Sequence, residues 1–77
     1  MKARRIQSLP EEYGEWSELG IAWAKDQEGE DTRTLWEAED YYIISGFSKG
    51  EEFNHIYSKL NGFYIGDSCL EFNYVSD

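Results

Sequence analysis

Ser48-Lys49-Gly50-Glu51-Glu52-Phe53-Asn54-His55-Ile56-Tyr57-Ser58-Lys59-Leu60-Asn61-Gly62 is the stretch on which the fold turns. Ser48 and Glu51 stand in the Ser-x-x-Glu spacing of a helix capping box. Phe53, Ile56, Tyr57 and Leu60 recur at i, i+3, i+4 and i+7, the spacing of one apolar helix face. Gly62, after Asn61, is a natural helix stop. The stretch therefore predicts an amphipathic helix over about 49–61, with His55 on its polar side.

Strand patterns flank it. Tyr41 to Phe47 is rich in aromatic and β-branched residues and ends at Gly46 and Ser48. Phe63 to Ile65 begins another strand, and Gly66-Asp67-Ser68 has turn chemistry. Leu70, Phe72 and Tyr74 alternate with Glu71 and Asn73, as in a half-buried strand. A β-α-β arrangement of 41–47, 49–61 and 63–66 follows. Phe53, Ile56, Tyr57 and Leu60 are expected to pack against Ile43, Phe63, Ile65, Leu70 and Phe72.

Toward the N-terminus, Arg4 to Leu9 reads as a short strand. Pro10 suits the first turn of a helix, with Ser8 as cap, and the acidic run to Leu19 has helical spacing up to Gly20. Ile21 to Lys25 alternates as a strand would. Asp26 to Asp31 is a polar connection, and Thr32 to Glu39 is the return strand of a hairpin, with a helix capped at Asp31 or Thr32 as the competing reading. The expected fold is α+β. It has a small, mainly antiparallel sheet of four or five strands, the helix at about 49–61 and a short acidic helix at about 10–19. All of it belongs to a single domain, 1–77, since 77 residues supply one core at most. Thirteen aromatic residues (Trp 3, Tyr 6, Phe 4) argue for a folded chain despite the low mean hydropathy of −0.71.

The charge is unevenly placed. The chain carries 16 acidic and 7 basic residues, net −9, and eleven of the acids lie between Glu11 and Asp40 beside only Lys25 and Arg33. Such a field attracts basic surfaces and repels nucleic acid and anionic lipid, so direct nucleic-acid binding and membrane binding are not expected. The only basic cluster, Lys2, Arg4 and Arg5, is small. Glu11, Glu15 and Glu18 fall on one face of the expected acidic helix. Carboxylates four residues apart there are separated by ~6 Å, comparable to successive phosphates along a nucleic-acid strand. A basic cleft would release counterions on meeting such a row, as it does with DNA. The residues expected to meet a partner are Glu11, Glu15, Glu18, Glu28, Glu30, Asp31, Glu37, Glu39 and Asp40, with Trp16 and Trp36 as apolar anchors.

Other chemistries find less support. Asp26, Glu28, Glu30, Thr32, Thr34 and Glu37 have the ligand spacing of a calcium loop, but its obligatory glycine is replaced by Asp31 and Gly29 falls two residues early. One cysteine, Cys69, and one histidine, His55, make neither a disulfide nor a zinc site, and a catalytic pair needs a third, orienting group. No glycine-rich phosphate loop is present. No apolar run reaches the ~20 residues of a membrane span, and no signal-peptide core follows Met1. The expectation is a cytoplasmic, non-enzymatic protein without a cofactor, acting as a monomer or homodimer.

The run Leu9-Pro10-Glu11-Glu12, opening an acidic helix, resembles a segment of the phage uracil-DNA glycosylase inhibitor family. In that family an apolar strand and an acidic hairpin follow, as Ile21–Ala24 and Asp26–Asp31 do here. The resemblance spans about residues 6–40. The family's Glu-Ser strand motif is not matched, since Gln7 and Ser8 carry no carboxylate, so the specific target is not carried over. The resemblance implies the wider class of small acidic phage proteins, anti-restriction and anti-CRISPR proteins among them, that imitate DNA before a host nucleic-acid-handling enzyme or defence complex. Leu9-Pro10-x-x-Tyr13 is also similar to the start of a family of bacterial immunity proteins, which implies a second possibility: neutralisation of a toxin. A small protein-interaction module is a third.

Overall fold

The computed structural model describes residues 1–13, 17–24, 32–67 and 70–75. Among them run six strands, β1 (Lys2–Ile6), β2 (Thr32–Glu37), β3 (Tyr41–Ser48), β4 (Glu51–Ser58), β5 (Tyr64–Asp67) and β6 (Asn73–Val75). A 3₁₀ turn, Glu11–Tyr13, and one helix, α1 (Glu18–Ala24), lie between β1 and β2. The sheet order is β5-β4-β3-β2-β1-β6. All neighbours are antiparallel except β1 and β6, which pair in parallel. The fold is thus mostly sheet, and the expected balance of four or five strands and two helices is overturned.

The expected helix at 49–61 is strand β4. Lys49 and Gly50 both have positive φ, 53° and 81°, and Ser48 pairs with Glu51 across them. Two consecutive left-handed residues form the two-residue hairpin turn whose twist matches that of the flanking strands. Ser48 and Glu51 are its flanks rather than a capping box. Beyond the turn, β4 pairs with β3 from Glu51 to Ser58, and Ile56 lies directly opposite Ile43. The β-α-β unit is therefore an antiparallel meander. Phe53 and Tyr57 point to one face of the sheet and Ile56 to the other, since side chains alternate along a strand. Both faces are covered, which is why Ile56 and Tyr57, adjacent in sequence, are both buried. Leu60, Phe63, Ile65 and Leu70, expected in the core, are exposed.

The N-terminal half also differs. Of the expected acidic helix at 10–19, the described residues 11–13 form the 3₁₀ turn, closed by the Tyr13 N–H donating to the Pro10 carbonyl at 3.0 Å, and Glu18 and Leu19 open α1. The helix starts later, at a cap formed by Ser17. The Ser17 hydroxyl accepts from the Gly20 N–H at 2.9 Å, and the Ser17 carbonyl accepts from the Ile21 N–H at 2.9 Å. This is the N-cap arrangement, with the side-chain oxygen satisfying the N–H three residues on. Gly20 lies inside α1 instead of ending a helix. Ile21–Ala24 is helical, not a strand: Leu19, Ala22 and Trp23, at i, i+3 and i+4, turn toward the sheet. Arg33 then donates to the Ala22 carbonyl at 2.9 Å, satisfying one acceptor of the helix's last turn.

The core has two layers, one on each face. Tyr13, Leu19, Leu35, Tyr42, Ile44 and Tyr57 fill the face under α1 and the 3₁₀ turn. Ala3, Ala38, Ile43 and Ile56 fill the other, flanked by Trp36, Tyr41 and Phe72. That second face is concave. β5 and β6 are the two outer strands of six, so a flat sheet would set them roughly 24 Å apart. The chain between Asp67 and Asn73 reaches at most about 22 Å when fully extended. The sheet coils to bring them nearer. Phe72 crosses over the hollow against Tyr41 at 6.1 Å, and Tyr74 of β6 meets Trp36 of β2 at 4.9 Å, with β1 between their strands.

Candidate protein-binding surface

The β2–β3 turn builds the acidic end of the sheet. The Ala38 N–H donates to the Tyr41 carbonyl at 2.8 Å, and the Asp40 carbonyl accepts from the Lys59 N–H at 3.0 Å, which fastens the turn to the β4–β5 loop. Glu39 and Asp40 are exposed upon it, as are Glu11 and Glu12 on the 3₁₀ turn. The two segments meet around Tyr42. Its ring lies against Tyr13 at 5.2 Å, and its hydroxyl donates to Glu37 at 3.4 Å. Burial, then the Glu37 carboxylate, Tyr13 and Glu12 push the Tyr42 hydroxyl up to about 12.

Glu37 is not available in the way the sequence suggests. Its carboxylate is half-buried and held by Lys59 at 3.2 Å and Arg4 at 3.6 Å as well as by Tyr42. Lys59 also donates to the Ala38 carbonyl at 3.1 Å and lies 5.3 Å from the Tyr42 ring centre. Beside this network is a hollow of about 430 Å³ whose charged lining is Lys2, Arg4 and Lys59 facing Glu37 and Glu39. Three of the chain's seven basic residues thus interrupt the acidic end.

Of the other expected contact residues, Glu18 is exposed at the start of α1 and accepts the Tyr64 N–H at 2.6 Å. Trp36 lies on the concave face, its indole N–H donating to the Ser45 hydroxyl at 2.8 Å. It faces away from Glu37, its neighbour in the strand, and belongs to the packing of Tyr74 rather than to the carboxylate cluster. Glu15, Trp16, Glu28, Glu30 and Asp31 lie outside the described residues.

Glu12 was not among the expected contact residues. Its adjacency to Glu11 in the first helical turn was the available signal. His55, expected on a helix, sits on β4 between Phe53 and Tyr64, its Nε2 3.5 Å from the Asp67 carboxylate that also accepts from the Tyr64 hydroxyl. Cys69 is outside the described residues. Thr34 and Glu37 of the calcium-loop spacing lie in β2, not in a loop. Among the described residues no group of three or more His, Cys, Asp or Glu could hold a metal ion, and no helix is long and apolar enough to cross a membrane.

The tyrosines make an alkaline prediction. Tyr13, Tyr57 and Tyr74, like Tyr42, have hydroxyls raised above the ordinary 10.0, burial being the first cause in each. The unfolded chain therefore loses these protons first. Their contribution to stability is complete below pH 10 and is lost as the pH rises from 10 toward about 12. The melting temperature should fall across that window, and less steeply in Tyr42→Phe. A flat profile from pH 9 to 12, read by circular dichroism beside tyrosinate absorbance, would contradict the burial of these hydroxyls.

Comparison of the chain with known protein families, with characterised proteins and with solved structures gives no match.

Proposed function

We propose that the protein is a non-enzymatic inhibitor that binds a basic nucleic-acid-handling protein or defence complex in the cytosol, through an acidic surface that imitates DNA. The observation that carries this reading is the meeting of exposed carboxylates from two segments. Tyr13, which follows the exposed Glu11 and Glu12, packs against Tyr42, which follows the exposed Glu39 and Asp40 by two residues, and Glu12 acts on the Tyr42 hydroxyl. Like charges gathered in one place repel one another, and a fold that tolerates this at net −9 carries a field suited to a cationic partner. The inhibitor works by occupancy and needs no cofactor.

The experiment is a binding panel of purified DNA-handling enzymes, glycosylases, nucleases and polymerases, titrated at low and high salt. One member should bind at low salt and weaken steeply as salt rises, because the interacting charges are exposed and screened. Reversal of Glu39 and Asp40 together to Lys should weaken it at least about tenfold, the stability of the double variant matching the parent's within ~0.5 kcal/mol because both sites are exposed. Unchanged affinity after the double reversal would remove the mimic.

A further inference from the structure

We propose that Leu60, supported by Phe63 and Ile65, is a preformed apolar anchor for the same basic partner, taking a segment whose cations are interleaved with apolar side chains. The inference rests on the functional reading above and adds a second contact to it. Leu60 is 91% exposed, Phe63 54% and Ile65 44%. Single exposed apolar residues are ordinary, but this one stands at the crest of a loop that is fastened on every side. Within the loop the Gly62 N–H donates to the Ser58 carbonyl at 2.8 Å, and the Ser58 N–H to the Phe63 carbonyl at 2.9 Å. Side chains close it further: the Leu60 N–H donates to the Ser58 hydroxyl at 3.2 Å and the Phe63 N–H to Asn61 at 3.0 Å. From outside, the Leu19 N–H holds the Gly62 carbonyl at 3.0 Å and Lys59 N–H holds Asp40 at 3.0 Å. A leucine held out by so ordered a backbone loses little conformational freedom on binding, the condition under which one side chain acts as an anchor.

Charge decides the occupant. From Leu60 to Asp67 the only charged side chain is Asp67, and Glu18 adds a second carboxylate at the Tyr64 N–H. The nearest cation in sequence, Lys59, is turned back to Glu37 and the Ala38 carbonyl. A second copy of this chain would bring another net −9 against those carboxylates. Strand addition to β5 is also hindered. Ile65 is an extra residue in the β4–β5 ladder, where Tyr57 pairs with Tyr64 but Ile56 with Gly66, and the Tyr64 N–H is already taken by Glu18. Bulges and occupied edge groups blunt a sheet edge against pairing. What remains is a side-chain contact with a cationic, partly apolar segment.

Two short synthetic peptides of equal charge test it, one alternating Lys and Val, the other alternating Lys and Ser. They are titrated into the isotope-labelled protein at low salt while the amide resonances are followed. The Lys–Val peptide should bind about tenfold more tightly than Lys–Ser and shift the amides of 60–65. Leu60→Ser should abolish that preference without weakening Lys–Ser binding, and its melting temperature should match the parent's because the side chain is solvent-exposed. An unchanged preference in Leu60→Ser, or shifts confined to residues 11–12 and 39–40, would overturn the anchor while leaving the acidic reading standing. Shifts at 60–65 that appear on concentrating the protein alone would overturn it in favour of a second copy. If no DNA-handling enzyme binds but the preference and its loss in Leu60→Ser persist, the functional reading fails and the anchor is upheld.

Discussion

Gly62→Ala should lower the stability of the protein by about 2–5 kcal/mol, combining roughly 1–2 for a left-handed non-glycine residue with about 1–3 for overpacking. Gly62 has φ +72°, a conformation in which a Cβ meets the carbonyl that follows. The added methyl would also stand 2.9 Å from the Ser17 Cβ, 3.2 Å from its hydroxyl oxygen and 3.3 Å from the Tyr13 ring. None of these neighbours can retreat easily. Ser17 is fully buried and caps α1, and Tyr13 is wedged against Tyr42. A chain of this length holds about 4–12 kcal/mol in total, so the substitution removes a large share of it. Gly50→Ala is the control. Gly50 also has positive φ, +81°, but nothing lies within 4 Å of its added methyl. Its cost should therefore be the conformational part alone. The two denaturation midpoints, compared at constant m-value, give the contact with Ser17 by difference. Equal losses at the two glycines would mean that the β4–β5 loop is not seated on the α1 cap.

Ile43→Ala is the other large effect, expected at about 2–5 kcal/mol from lost burial plus the cavity left behind. Ile43 is 0% exposed in the middle of β3, and its partner Ile56 on β4 is also 0% exposed. Among the described residues, the buried neighbours in this cluster are Ala3 and Ala38, too small to collapse into the gap, with Trp36, Tyr41 and Phe72 at the margin. Because the two isoleucines face each other in register, they should couple. Ile43→Ala and Ile56→Ala together should cost less than the sum of the single losses by at least ~0.5 kcal/mol, as contacting residues do. Strict additivity would show that Ile56 does not sit across from Ile43, and would reopen the placement of β4 in the sheet.

That placement is where sequence and structure part most clearly. Residues 53–60 satisfy a helical template because the sheet is covered on both faces. A strand with one wet face alternates, and its period is plain. A strand covered on both sides has no such signature, so Ile56 and Tyr57, pointing opposite ways, complete an apparent i, i+3, i+4 stripe with Phe53. Tyr42, Ile43 and Ile44 are likewise consecutive and buried, but the run is short and β-branched enough to be read as a strand. The tie could have been broken locally. Phe53, Asn54, His55, Ile56, Tyr57 and Ser58 are all weaker helix formers than alanine or leucine, and Lys49-Gly50 carries the glycine that a two-residue hairpin prefers. Helix α1 differs from its sequence pattern in the reverse sense. Ile21 and Trp23 alternate over too few residues to mark a strand, and Ser17 as cap was the better signal.

The candidate surface divides in the same way. Glu11, Glu39 and Asp40 were legible as exposed acids because charge and turn propensity are local properties. Trp36 and Glu37 were legible as residues but not in their roles. Whether a tryptophan packs or protrudes depends on which strand lies two places away, and whether a carboxylate is available depends on Arg4 and Lys59, remote in sequence. Leu60 was placed in the core by a periodicity that does not exist once the chain turns at Lys59.

The amino-acid sequence by itself determined the net charge and its gathering into one window, the stop at Gly62 and the strand read at 41–47, each a consequence of a residue's own chemistry or that of its near neighbours, while 32–39 stood open between strand and helix. Only the tertiary structure decided that residues 51–58 extend rather than coil, that β6 returns to lie parallel to β1, and that the sheet curls to bury Ile43 and Ile56. The physical reason is that a strand earns its stability from hydrogen bonds and packing supplied by other segments, and no window of sequence contains the partner that supplies them.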